Sequence, residues 1–313
     1  MKKTGAVIFC WLWLVCLCSY AAAEDNWLSS VLAARQQDTS SAQKYAALLY
    51  IEGEISAYSY GYDHLATLDV IDALAQDAGN AALVMVFNTP GGGLYEADEL
   101  YHAVQTYKQN GRPVYAYMAQ ECCSAGVFAA MAADTIYASR MTLTGNVGVY
   151  MQTYSEAGLL DKLGVKNEYI ASGENKVAGY PQLTAAQRQI YEEIVAENFG
   201  YFKEVITAAR GLTQEQMALL ADGRLLTGKQ ARELGLVDDV IYFDEALLRI
   251  ESQVTGGTGA RLKFEDVTPE MQYGYEAEQS SAMDWLLELM QGDEAQTQGM
   301  FCPPSAQKSG VRR

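Results

Sequence analysis

A chain of 313 residues with 50% hydrophobic and 19% charged residues holds enough apolar material for a full core and is not of disordered composition. Its formal charge of -17 leaves no basic surface that could follow a phosphate backbone, which argues against nucleic acid as a partner. The same charge repels anionic lipid headgroups, so any membrane association has to run through the N-terminal segment.

That segment, residues 1–23, opens with Lys2 and Lys3, continues as an uncharged apolar run and closes on Ala21-Ala22-Ala23 before Glu24. It has the pattern of an export signal. The small residues at Ala21 and Ala23 suit cleavage, which is the preferred reading, while about 20 apolar residues also suffice for a retained membrane anchor. Either way the body is expected to be exported, held at the outer side of a membrane or released. Cys10, Cys16 and Cys18 belong to this segment, leaving Cys122, Cys123 and Cys302, an odd number with no metal-site spacing. No metal and no cofactor is expected.

Residues 24–44 are polar and read as a spacer. Apolar runs at 46–55, 81–87, 113–118 and 135–138 suit strands buried on both faces. Between them lie helical periods: Leu65, Leu68, Ile71 and Leu74, then Leu94, Ala97, Leu100, Tyr101 and Val104, then the short stretch 125–133. Strand and helix alternate, so the fold class is α/β, with right-handed βαβ units around a mostly parallel sheet and chemistry at the carboxyl ends of its strands. Past Lys176 the chain turns helical. Thr184 with Gln187, Thr213 with Gln216 and Thr227 with Gln230 each carry a capping signal, and Gly211 and Gly235 are stops. The domain is placed at residues 45–254, followed by a Gly-, Gln- and acid-rich tail, 255–313, with one apolar stretch at 283–290.

Three features speak of chemistry. Asn88-Thr89-Pro90-Gly91-Gly92-Gly93 is a glycine turn able to aim backbone N–H groups, and Ser124 stands at a helix start made of small residues. Lys176 lies in a loop bracketed by Gly173 and Gly179. A hydroxyl needs a base to become a nucleophile, and a lysine serves where its surroundings disfavour the ammonium form. His64 and His102 precede Ser124 on helices and suit solvated or core-edge roles. Cys122 and Cys123 suit small apolar packing better than nucleophilic work, with no histidine following them. Duller readings stand beside these: Ser124 as a plain N-cap, the glycines as a connection, Lys176 as an exposed loop lysine. Taken together the three point to acyl transfer, most simply peptide hydrolysis.

The runs FNTPGGG, CCSAGVFAAMAADTIYAS, TLTGNVGVY, SGENKVAGYP and GRLLTGKQARELGLVDDV stand in the order and spacing of the signal peptide peptidase A family, which the chain resembles over roughly residues 46–240. The resemblance implies a ClpP/crotonase-like fold with a helical C-terminal extension and a Ser-Lys dyad serine protease. It implies Ser124 as nucleophile, Lys176 as general base and later acid, and N–H groups of Gly91, Gly92 and Ala125 as the oxyanion hole. The residue after the nucleophile is usually glycine and is here Ala125, which keeps the N–H. The serine that helps orient the lysine is replaced by Asn146, whose amide oxygen can accept the same hydrogen bond. The chain is similar to the family's short form. That implies a homo-oligomeric ring with active sites shared between subunits and hydrophobic peptides, such as cleaved signal peptides, as substrates. Two alternatives stay open: a catalytically impaired oligomeric scaffold that binds membrane peptides, or a crotonase-like acyl-transfer enzyme.

Overall fold

The computed structural model describes residues 44–269 apart from residues 58 and 60. The export signal, most of the spacer and the apolar stretch at 283–290 lie outside the described residues. Among the described residues eight strands form one sheet: β1 (Tyr45–Glu52), β2 (Asn80–Thr89), β3 (Val114–Cys123), β4 (Thr135–Ala138), β5 (Leu143–Gly145), β6 (Leu225–Thr227), β7 (Asp239–Val240) and β8 (Lys263–Asp266). The described helices are α1 (His64–Gln76), α2 (Leu94–Lys108), α3 (Ala125–Ala130), α4 (Ala157–Leu163), α5 (Ala185–Arg210), α6 (Gln214–Leu220), α7 (Gly228–Glu233) and α8 (Phe243–Val254). None of them is long and apolar enough to cross a membrane.

The strands run β6-β5-β3-β2-β1-β8, with β4 on β3 and β7 on β4. Every pairing is parallel except β5 with β6. The first three strands are apolar along most of their length because both faces are covered. One face carries Leu49, Met85, Phe87 and Met118 against Ile71, Leu100, Tyr107, Phe128 and Phe202 of α1, α2, α3 and α5. The other carries Leu48, Val84, Tyr115 and Tyr117 against Ala246 and Ile250 of α8. Odd and even strand positions thus feed different cores, as a two-residue period requires.

The expected elements stand where the periodicity put them, and all three threonine-glutamine capping boxes close, at Thr184, Thr213 and Thr227. Three differences matter. The first strand ends at Glu52 rather than at 55, because Gly53 takes φ 76° and the chain leaves the sheet. Residues 143–145, too few to show a period, are a strand. The chain beyond Thr255, expected to be peripheral, returns as β8 and pairs with the outer edge of β1 from Tyr45 to Leu48. An open edge of the central strands leaves N–H and C=O groups unpaired, and β8 satisfies them. The sheet therefore runs past residue 254, to Asp266.

Candidate active site

Strand β3 has a divided outer edge. Tyr115–Met118 pair with β4, and Glu121–Cys123 pair with β5. The shift to β5 sets Gly145 across from Cys123 and brings the next residue, Asn146, beside the end of β3.

At that end the chain turns sharply into α3, and Ser124 takes φ 50°, ψ -118°. Among the described residues only Ser124 and Asn146 have positive φ without being glycine. For a serine such a backbone costs about 1–3 kcal/mol and persists only where surrounding bonds over-determine it. Here the Ser124 N–H donates to Gly145 O at 2.9 Å, and its carbonyl accepts from Phe128 N–H at 3.1 Å. The side chain makes no capping bond, so the plain N-cap reading of Ser124 fails. Small residues are needed below it: a Cβ on Gly126 would lie 2.5 Å from Thr89 Cγ2.

The glycine turn touches this elbow directly. Gly91 has φ 116°, and a Cβ on it would lie 2.8 Å from Ser124 Cβ and 3.3 Å from Ala125 N. The turn's N–H groups are not equivalent. Gly91 N–H donates to Thr89 Oγ1 at 3.1 Å and Gly93 N–H to Ile55 O at 2.8 Å. Gly92 N–H and Ala125 N–H have no acceptor among the described residues. Two backbone donors are thus left without acceptors, one in the glycine turn and one directly after Ser124, and Gly91 packs against Ser124 where a side chain would not fit.

Cys122 and Cys123 are buried, and burial pushes the Cys122 thiol well up and that of Cys123 up to about 12. Neither forms a thiolate near neutrality, which leaves them as packing residues. His102 is exposed on α2. His64 is buried and held by Tyr62 and Glu99, and makes no bond to Ser124. That network, joining two helices and the β1–α1 segment, left no trace in residue spacing.

Lys176 is placed otherwise. It sits in an exposed loop, its N–H donating to Gly173 O at 3.1 Å, and its ammonium has no hydrogen-bond or ion-pair partner among the described residues. One chain by itself does not join Lys176 to Ser124. The segment that carries it is unusually bare: α4 has no buried residue, Ile170 is 105% and Tyr150 82% exposed, and Tyr154, Leu159, Leu163, Val165 and Tyr169 are exposed as well. Beside it, Val149, Met151, Leu183, Val195 and Phe199 line a cavity of about 660 Å³ against the N-terminal half of α5.

Residues 106–255 match peptidase family S49, a stretch that holds Ser124, Asn146 and Lys176 but not Gly91 and Gly92. A signal peptide peptidase SppA of Enterococcus faecium is 31% identical over 64% of this chain and 60% of its own length. Protease 4 of Haemophilus influenzae is 25% identical over 65% of this chain and 33% of its own. The chain thus spans about 60% or less of these relatives. A ClpP1 mutant from Listeria monocytogenes is similar at 17% identity and a TM-score of 0.43, over 64% of this chain and 94% of that one. The elbow serine thus lies inside the stretch similar to peptidase family S49, and the signal peptide peptidase A and protease 4 relatives are similar to this chain over about two thirds of its length.

Proposed function

We propose that this protein is a serine endopeptidase of signal peptide peptidase A type that hydrolyses hydrophobic peptides, cleaved signal peptides among them. The observation that carries the reading is the strained Ser124 elbow set against two unpaired backbone donors. Ser124 Oγ attacks the scissile carbonyl, Lys176 takes its proton and later returns it to the leaving amine, and the N–H groups of Gly92 and Ala125 receive the oxyanion. Gly91 keeps the space between them clear. Asn146, at the αL-like φ of 50° that asparagine tolerates, follows the residue bonded to Ser124 and offers its amide to the lysine.

The exposure of Lys176 supports a homo-oligomeric ring in which a neighbouring copy supplies the lysine. A bare apolar segment of this size is covered in a working assembly. In the proposed topology the N-terminal segment carries the ring to the outer face of the inner membrane, or is removed after export.

The test is turnover of a fluorogenic hydrophobic peptide by the purified protein beside Ser124→Ala and Lys176→Ala. Both variants are expected to lose at least about 1,000-fold in kcat. Equal signal from all three proteins would reduce the chain to a peptide-binding scaffold. Mixing the two variants before reassembly is expected to restore part of the activity, and no recovery at any ratio would refute the shared site.

A further inference from the structure

Between β1 and α1 the chain does not simply cross to the next layer. It runs as a strap along the glycine turn and is stitched to it. Gly53 N–H donates to Asn88 O at 3.0 Å, Ile55 N–H to Gly91 O at 2.8 Å, and Ile55 O accepts from Gly93 N–H at 2.8 Å. Ile55 and Gly92 form a parallel bridge, so close that a Cβ on Gly92 would collide with Ile55 O. A further contact joins Ala57 N–H to Glu96 Oε1 at 3.4 Å. Ile55 thus grips the peptide units on either side of Gly92, and the direction of the Gly92 N–H follows from where the strap lies.

The far end of the strap is anchored by side chains. Tyr62 and His64 are both buried, with Tyr62 Oη 2.9 Å from His64 Nδ1. His64 Nε2 lies 2.8 Å from Glu99 Oε2, and the other carboxylate oxygen of Glu99 accepts from Tyr95 Oη at 2.8 Å. An ionised carboxylate only accepts, so His64 donates through Nε2–H. In the neutral ring Nδ1 then accepts the Tyr62 hydroxyl proton, which burial holds in place. The result is one directed chain, Tyr62 to His64 to Glu99, that ties the end of the strap to α2, the helix that starts at the glycine turn. Nothing in peptide hydrolysis as described above uses this buried histidine.

We propose that Tyr62, His64 and Glu99 are positioning residues that latch the strap and thereby set the orientation of the Gly92 N–H. The proposal rests on the reading of that N–H as an oxyanion donor. The latch touches neither substrate nor Ser124 and acts through the Ile55 backbone. Loosening it leaves peptide binding in place and weakens stabilisation of the transition state, since misaimed donors lose their effect on rate before they lose the fold.

The experiment compares the full chain with His64→Ala, Glu99→Gln and the milder Tyr62→Phe, with His64→Gln as the conservative partner because its amide can still donate to Glu99. Hydrogen exchange is followed in peptides covering residues 53–57 and 88–93, and kcat and KM with the fluorogenic peptide. His64→Ala is expected to speed exchange of the Ile55 and Gly93 amides at least about tenfold and to lower kcat about tenfold with KM within twofold. His64→Gln is expected to recover most of both. Unchanged exchange at residues 53–57 and 88–93 in a folded His64→Ala protein, or a matching fall in all variants that tracks melting temperature alone, overturns the latch. If Tyr62→Phe is the only variant that folds, the same exchange criterion applies to it. A wild-type chain without turnover sinks the peptidase reading instead, and the exchange comparison then still decides whether the strap is latched.

Discussion

Ser124 holds a backbone conformation that its own chemistry disfavours, and the strain lies in the residue whose hydroxyl the proposed reaction needs. Replacing it with glycine removes the strain along with the hydroxyl. Ser124→Gly is therefore expected to be inactive yet more stable by about 1 kcal/mol in urea unfolding, the relieved strain exceeding the added chain entropy. A loss of stability on this substitution would show that the elbow is not strained. Gly91 makes the opposite case. Its φ of 116° and its contact with Ser124 leave no room for a methyl group, so Gly91→Ala is expected to cost about 100-fold in kcat. The buried Cys122 and Cys123 are expected to resist iodoacetamide at pH 8 in the folded protein and to react once it is unfolded, because burial keeps both as thiols. Rapid alkylation of the native chain would contradict their burial.

At the scale of elements, the site is made by where β3 stops and what lies along its edge. β4 occupies the first half of that edge and β5 the second, so the β5 residues arrive beside the serine although they are far off in sequence. The latch is also a matter of elements, since it joins the β1–α1 strap to α2. Glu99 is held below the usual carboxylate range, first by its hydrogen bond from His64 and then by that from Tyr95. A depressed folded value means that its contribution is present above the unfolded carboxylate value and is lost as pH falls through the lower, folded one. Tyr62 and Tyr95 bond to the pair, and Asp63 of the strap with Glu96 and Glu99 of α2 are the charges felt by Tyr62. Exchange of the Ile55 amide is accordingly expected to speed up as the solution is acidified below the ordinary carboxylate range. In Glu99→Gln that acid step should be absent.

For the whole molecule, the bare segment around α4 and the half-exposed start of α5 set the terms. Only the C-terminal part of α5 reaches the core, through Phe202, Val205 and Ile206, while Ile190 and Ile194 stay exposed. A chain with this much uncovered apolar surface is expected to run as an oligomer in light scattering. Paired Leu163→Asp and Ile170→Asp substitutions are expected to reduce it to smaller species and abolish turnover, although neither residue bonds to Ser124. A monomeric wild type with full activity would require Lys176 to reach Ser124 within one chain and would end the shared-site reading.

Much of this was legible along the chain. Alternating periods of two and 3.6 residues set out the βαβ core, and the threonine-glutamine pairs marked three helix starts. Ser124 and the glycine turn showed themselves through residue types that only a tight strand-to-helix turn and a close backbone approach require. Local physics decides such features, because a cap, a turn or an apolar stripe involves neighbours a few residues apart. Other features depend on segments that meet only after folding: the three-residue β5, the return of β8 beside β1, the bonds from Ile55 to Gly91 and Gly93, and the tie from His64 to Glu99. Their partners lie tens or hundreds of residues away, and no period or motif records such pairings. The placement of Lys176 in an exposed loop belongs with them, since a residue's distance from a nucleophile is a property of tertiary and quaternary packing.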